Sequence, residues 1–568
     1  MSIRVLNDKV IAQIAAGEVV SRPASVVKEL IENALDAGSG QIRVEVGGGG
    51  VSLIRVTDNG GGIAYDEVEL AFTRHATSKI SSFDDLLVVD SLGFRGEALP
   101  SIAAVSQVEL LTCAATEDTG TFITLENGAV DGVKRQTRPP GTTVSVRNLF
   151  GKVPARRKYL KSPATENSHI ANVVSQYALA FPEVRFSLQI DGRSVLLTSG
   201  KGKLLDSIID VYGLEVARGM LPVVNLEETW SSGKSTLDVG GFVSAPSLHR
   251  SGRGYLTFLV NHRWVSSRFL AYAVEEAYHG LLMTGRHPMA VLNIRIAPDE
   301  VDVNVHPAKS EVKFRDERAV FTLVQRAVRR ALVNQMPVPQ IEETAAAFTS
   351  LPAETRELWR RVEERGSVSR TVPVTLESTV SLPVLRVLGQ FRNSYVVAEG
   401  PDGLYLIDQH AAHERICYER IKRQRARKEV EVQGLLEPVT MDVTPRQGEA
   451  LKSCYRDLSE FGFNIEPFGE RTYLVRAVPG LLHDREWPGV LRELLDTLPG
   501  GGGDWEEKVA VSLACHGAVR AGQALSDAEM RELVRELEQV SSPKTCPHGR
   551  PTVIQLSSAQ LAREFGRT

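Results

Sequence analysis

The sequence is poor in the features that mark several protein classes. Five cysteines in 568 residues (Cys113, Cys417, Cys454, Cys515 and Cys546) are too few and too scattered for a disulfide framework, so a reducing interior fits better. No apolar run reaches the ~18 residues of a membrane helix. The opening stretch carries charges inside its apolar run and has no clean cleavage site, so no secretory signal is expected. Charge of one sign is also missing. Lys and Arg total 66 against 70 Asp and Glu, for a net charge of −4, so any contact with DNA must come from local patches. No Walker A loop, internal repeat or heptad array is found. A cytoplasmic, multidomain protein is the expectation.

What is present is ordinary globular material, 42% apolar and 24% charged. The length allows about three or four domains at roughly 100–200 residues each. Short β-like runs alternate with helical patterns over the first 330 residues, which makes the class α/β or α+β. Ile42–Val46 and Val51–Val56 read as a hairpin across Gly47–Gly50. A second β-rich stretch takes in Leu256–Val260, Val291–Ile296 and Val301–Val305, and a helix follows from Glu317. Between about 335 and 383, prolines recur among Ser, Thr and Glu without an apolar period, so this stretch reads as a flexible linker. Order resumes at Val384. Ser526-x-x-Glu529 is a capping-box start for a helix.

Four segments suggest a site. Pro23–Ala37 has a helical period with Val27, Leu30, Ile31 and Ala34 on one stripe. Glu29, Asn33 and Asp36 cluster on the other side. A carboxylate there can deprotonate a water, and a carboxamide can offer oxygen to Mg²⁺, although a solvated helix face is the plainer reading of this segment alone. Asp58-x-Gly60-x-Gly62 ends a strand, where a carboxylate can accept from an exocyclic amine and glycines admit a ligand to the backbone, or simply make a turn. Gly93-x-x-Gly96 precedes a helix and can present N–H groups to anionic oxygens. Gly141-Thr142-Thr143 turns into a strand, and Thr73–Ile80 is polar enough to be a lid.

The order and spacing of these pieces resemble the ATP site of the GHKL family, which includes gyrase B, Hsp90, histidine kinases and MutL. The strings of Ala15–Ala37, Ala76–Ile80 (ATSKI) and Gly93–Leu99 (GFRGEAL) look like the MutL group of mismatch-repair ATPases in particular. The resemblance implies a GHKL ATPase domain over 1–205, an α/β sandwich. It implies a ribosomal-S5-like transducer over 206–334, the linker over 335–383 and an α/β dimerisation domain over 384–568. By the same resemblance, Glu29 is the general base, Asn33 holds Mg²⁺ and Asp58 reads adenine beside Gly60, Gly62 and Thr143. Thr77, Ser78 and Lys79 bind ATP or its Mg²⁺, Gly93, Phe94, Arg95, Gly96 and Glu97 cradle phosphate, and Lys309 reaches the γ-phosphate.

Basic clusters suit phosphate contacts blind to sequence: Arg156, Arg157 and Lys158 in one, Arg263 and Arg268 in another. Solubilising charge is the alternative.

In the C-terminal part, His410 and Glu414 share a helix face with Asp408 just upstream. Pro547 and Pro551 are expected to hold the Cys546–Pro551 stretch extended, so that Cys546 and His548 project to one side. With Cys515 these make a candidate two-metal cluster for Zn²⁺ or Mn²⁺. The alternative is a tight turn and a buried small residue. Asp408-Gln-His410-Ala-x-x-Glu414-x₄-Glu419, with Cys515 and Cys546-Pro-His548 downstream, is similar to the signature of MutL proteins that carry their own endonuclease. Gln433-Gly-Leu435-Leu436-Glu-Pro438 resembles a peptide that docks on the replication sliding clamp, although the leucines also suit a core. The resemblance implies a homodimer that binds DNA without sequence preference. It also implies the mismatch-recognition protein MutS and the clamp as partners, and association with the nucleoid during repair. A nucleotide-switched matchmaker with a structural metal clasp and no nuclease is the alternative.

Overall fold

The computed structural model describes residues 16–17, 19–79, 91–93, 96–126, 128–229, 236–279, 281–282, 285–302, 312–335, 382–482, 486–497, 505–518 and 522–564. Phe94, Arg95, Lys309 and nearly all of the linker expected over 335–383 lie outside these residues. The chain divides into two compact units. The first comprises 1–332 and 417–518, the second 333–416 and 519–568. The boundary at 416/417 falls inside one helix, Gln409–Arg427.

The first unit contains an eight-stranded sheet. Its strands are β1 (Gln41–Gly47), β2 (Leu53–Asp58), β3 (Gln107–Cys113), β4 (Gly120–Glu126), β5 (Ala129–Gln136), β6 (Gly141–Arg147), β7 (Arg185–Ile190) and β8 (Arg193–Leu197). They run in the order β5-β4-β3-β6-β2-β1-β7-β8. The β1–β2 hairpin expected from the alternating pattern is present, and β1 also pairs in parallel with β7. Ile42, Val44 and Val46 of β1 and Ile54 and Val56 of β2 are buried at period two. Helices α1 (Pro23–Asp36), α2 (Ala98–Ala104), α3 (Pro154–Tyr159) and α4 (Pro163–Ala180) accompany this sheet. Pro23 stands in the first turn of α1, and Gly38 (φ 72°) follows its end. The stripe Val27, Leu30, Ile31 and Ala34 packs into the same core as the sheet and the inner side of α4.

A five-stranded sheet follows in the first unit, with Leu256–Val260, Arg263–Val265 and Ala290–Arg295 among its strands. Its apolar face is covered by helices Arg268–Ala277 and Glu317–Gln335. The first unit also holds a three-stranded sheet from Val432–Asp442, Asn464–Pro467 and Thr472–Pro479, with its own core around Leu451, Val475 and Leu491.

In the second unit, Arg386–Phe391, Tyr395–Gly400, Gly403–Asp408 and Val553–Ser557 form a four-stranded antiparallel sheet. Helix Asp527–Glu538 lays Met530, Leu533, Val534 and Leu537 on it. The capping box expected at Ser526 and Glu529 is formed in both directions. Among the described residues, no helix is long and apolar enough to cross a membrane.

Candidate functional sites

Asp58 is the last residue of β2 and keeps the phase of Ile54 and Val56, so its carboxylate takes a core-facing position and is 9% exposed. Its Oδ1 accepts from Gly60 N (2.9 Å), Thr142 N (3.2 Å) and Ser39 Oγ (3.3 Å). Burial pushes its pKa up, opposed by these hydrogen bonds and by the nearby Arg138 charge. The Thr112 and Thr142 hydroxyls meet at 2.9 Å, and Thr143 Oγ1 donates to Thr57 Oγ1 at 3.2 Å. The segment after β2 was expected to need glycine for ligand approach. At Gly62 (φ 72°) the reason is instead the chain itself, since a Cβ would stand 2.0 Å from Cys113 O.

Along α1, Glu29 is 8% exposed, so it is not on a solvated face. Glu32, absent from the sequence reading, is buried too and accepts from the Tyr177 hydroxyl of α4 at 2.6 Å. Burial, then the Glu32 charge beside it, pushes the Tyr177 pKa well up, so this phenol stays a proton donor.

The far end of α1 meets the phosphate-loop candidate. Asp36 Oδ1 accepts from Leu92 N (2.8 Å) and its Oδ2 from Gly93 N (2.9 Å). Lys79 Nζ lies 2.5 Å from Asp36 Oδ2 and 3.2 Å from Asn33 Oδ1, so the Asn33 oxygen already faces a cation. Thr77 Oγ1 accepts from Lys79 N at 3.2 Å, and Ser78 is exposed. Gly96 (φ 62°) lies so near Ala76 that a Cβ would come 2.3 Å from its carbonyl oxygen. Glu97 stands 3.6 Å from His75 Nδ1. The structure therefore brings Asn33, Lys79, Gly93 and Asp36 together, and on the adjoining strands Asp58, Gly60 and Thr143.

One basic residue is placed differently from its expected use. Arg263 is 6% exposed, and its guanidinium donates to the carbonyl oxygens of Leu92 (3.2 Å) and Ser91. It fixes the backbone at Ser91 and Leu92 and is buried there, not presented at the surface. Arg156 is half-buried, while Arg157, Lys158 and Arg268 are exposed.

In the second unit, helix Gln409–Arg427 begins right after strand Gly403–Asp408. Asp408 Oδ1 accepts from Ala411 N at 3.0 Å, an N-cap contact not foreseen from the sequence. His410 Nε2 lies 3.2 Å from Glu414 Oε1, and His548 Nδ1 lies 3.5 Å from Glu414 Oε2. Glu414 is buried, His410 half-buried and His548 exposed. The expectation of an extended Cys546–Pro551 stretch is overturned. Gly549 N donates to Cys546 O (2.9 Å) and Cys546 N to Arg550 O (2.8 Å), because Gly549 (φ 79°) turns the chain. Cys546 is thereby buried while His548 stays out, so the two do not project alike. Cys515 is half-buried on helix Trp505–Gly517 of the first unit.

The clamp-like segment lies on strand Val432–Asp442. Its register against Thr472–Pro479 lapses between Gly434 and Val439, so Leu435–Pro438 bulges from the sheet. Leu435 leans on the core, whereas Leu436 is fully exposed. Gln433 and Pro438 are exposed as well.

The sequence matches three family descriptions. They are the histidine kinase-, DNA gyrase B-, and HSP90-like ATPase over 18–94, the DNA mismatch repair protein C-terminal domain over 208–333, and the MutL C terminal dimerisation domain over 388–525. The DNA mismatch repair protein MutL of Desulforudis audaxviator is 42% identical over all of this chain and 99% of its own length. That of Methanothrix thermoacetophila is 40% identical with the same coverage. The chain belongs to the MutL family of DNA mismatch repair proteins. The crystal structure of the N-terminal domain of a DNA repair protein, 25% identical, matches 57% of this chain and 98% of its own with a TM-score of 0.51. The MutL membership and the GHKL match make the first sheet and its helices the frame of an ATPase domain. The match over 388–525 is to the family's dimerisation domain.

Proposed function

We propose that this MutL-family chain is an ATP-switched mismatch repair protein that binds and hydrolyses ATP at α1, β2 and the loop before α2. The observation that carries this is Asp58, a buried carboxylate fixed by three donors at the mouth of β2. One acceptor so placed can take the exocyclic amine of adenine, with Thr143 beside it. Gly96 is proposed to offer its backbone N–H to phosphate, while Gly93, whose N–H is held by Asp36, leaves room for the ligand beside the loop, assisted by Thr77, Ser78, Lys79, Phe94, Arg95 and Glu97. Lys309 is proposed to meet the last phosphate. Glu29 is proposed as the base that orients and deprotonates the attacking water. The Asn33 oxygen, already turned to an ammonium ion, fits a Mg²⁺ ligand, and Mg²⁺ would offset phosphate charge. The test is equilibrium binding and steady-state hydrolysis of ATP by the full chain. Asp58→Ala is expected to abolish binding, and Glu29→Ala to abolish hydrolysis while binding stays. ATP binding indifferent to Asp58→Ala would overturn the assignment.

The C-terminal cluster supports a second activity, nicking of DNA with bound Mn²⁺ or Zn²⁺. Support comes from the convergence of His410 and His548 on the buried Glu414. A buried carboxylate between two imidazoles is a fitting donor set for such ions. Asp408 and Cys546 are the further proposed ligands within the second unit. When bound, the metal would supply an activated water. Supercoiled plasmid nicked by the native chain with Mn²⁺, but not by Glu414→Ala or Asp408→Asn, would establish the nuclease. Nicking absent or indifferent to both would leave a matchmaker with a structural metal clasp. The remaining proposals are a homodimer through the C-terminal domain, MutS as partner, the sliding clamp at Gln433, Leu435, Leu436 and Pro438, and DNA at Arg156, Arg157, Lys158 and Arg268.

A further inference from the structure

The Lys79 side chain sits where the proposed nucleotide site needs a different cation. Its ammonium is 3.2 Å from Asn33 Oδ1 and 2.5 Å from Asp36 Oδ2. Asp36 is 9% exposed at its side chain and Lys79 23%, so this ion pair is shielded from water and salt more than a surface pair would be. The carboxylate does not depend on the lysine. It also accepts from Leu92 N and Gly93 N, which tie the phosphate loop to α1. The ammonium could therefore leave without releasing the loop.

We propose that Lys79 is a tethered counter-cation on the Asn33 oxygen that must be displaced before a divalent cation can bind there with nucleotide. This rests on the ATP-site reading above and adds a competition within it. Two cations cannot share one carboxamide oxygen without strong repulsion. The chain's own lysine thus satisfies the site electrically, and Asp36 and Asn33 do not stand as unpaired acceptors. Nucleotide and metal together must outbid the lysine, which also frees its ammonium to approach a phosphate. Such a device makes binding steeply dependent on the metal and disfavours nucleotide without it.

The test is binding of a fluorescent, non-hydrolysable ATP analogue to the full chain during a Mg²⁺ titration. It compares the native protein with Lys79→Met and, as a variant that keeps the lysine but weakens its anchor, Asp36→Asn. The Mg²⁺ concentration for half-maximal binding is expected to fall about ten- to a hundredfold in Lys79→Met, the size of one charge-assisted hydrogen bond. Asp36→Asn is expected to shift it the same way by less. A half-saturation that stays put or rises in Lys79→Met would overturn the inference. In that case the lysine is only a phosphate ligand, and analogue affinity alone would drop. A native chain that binds no analogue at any Mg²⁺ level would sink the ATP-site reading itself.

Discussion

The two candidate sites are built on opposite plans. The N-terminal one is interlocked. Asp58 has three donors, Asp36 has three, and Arg263 holds the carbonyls of Ser91 and Leu92 while Asp36 holds the N–H groups of Leu92 and Gly93. Most of its groups come from α1, the end of β2 and the connections that follow them, within about a hundred residues of each other. The C-terminal one hangs on a single buried carboxylate, Glu414, with one histidine from its own helix and one from a turn 134 residues later (548 − 414). A site that recognises a fixed ligand gains from preorganisation, because every group already ordered is one less to order on binding. A site whose imidazoles are half-buried or exposed leaves its geometry to whatever ion it takes up.

Substitutions can sharpen or break this contrast. Glu29→Gln should have the largest effect, a loss of about 10²–10⁴-fold in ATP turnover at near-native affinity, read from kcat and from binding. Asp58→Ala strands the Gly60, Thr142 and Ser39 donors, so it should cost about 3 kcal/mol in chemical denaturation besides the loss of ATP. An unchanged stability would mean that the interlocking is not energetic.

Glu493 provides a pH probe within the first unit. Burial raises its pKa, but His516 and Arg286, at 3.3 and 2.6 Å, outweigh that and pull it down from 4.5 to about 2. A depressed carboxylate stabilises above its unfolded pKa and loses that contribution as pH falls from about 4.5 towards 2. Glu493→Gln should cost about 2–3 kcal/mol at pH 7 and flatten the acid limb of stability. A variant with the native acid limb would break the assignment.

Asp408→Ala removes a helix cap and should cost about 1 kcal/mol in metal-free buffer. A much larger loss that appears only with Mn²⁺ present would show that its second role dominates. The smallest effect on stability belongs to Leu436→Asp, expected to stay within about 0.5 kcal/mol because the side chain is fully exposed. The same change should weaken clamp binding in a pull-down, and unimpaired binding would remove the bulge from consideration.

Much of the fold was legible wherever its signals are local. The β1–β2 hairpin follows from alternation and four glycines, α1 from its apolar stripe and Pro23, and the helix at Asp527 from its capping box. Glu32 was missed because its acceptor role depends on Tyr177, 145 residues away, and because the helical period sets it beside Asp36, away from the apolar stripe of α1. Arg263 looked like surface charge, since nothing in its neighbourhood reveals that it points beneath the phosphate loop. The turn at Cys546 was misjudged because two prolines suggested extension, while Gly549 at positive φ decided the path.

The sequence by itself determined the family, the strand and helix periods and the presence of the carboxylates and histidines, because these rest on residue type and spacing along the chain. Only the tertiary structure decided their electrical partners: Lys79 on Asn33 and Asp36, three donors on Asp58, Arg263 on two carbonyls, two imidazoles on Glu414. Hydrogen bonds and ion pairs act over about three ångströms in space, and apart from Gly60 on Asp58 and His410 on Glu414 the groups that make them here stand tens to hundreds of residues apart along the chain.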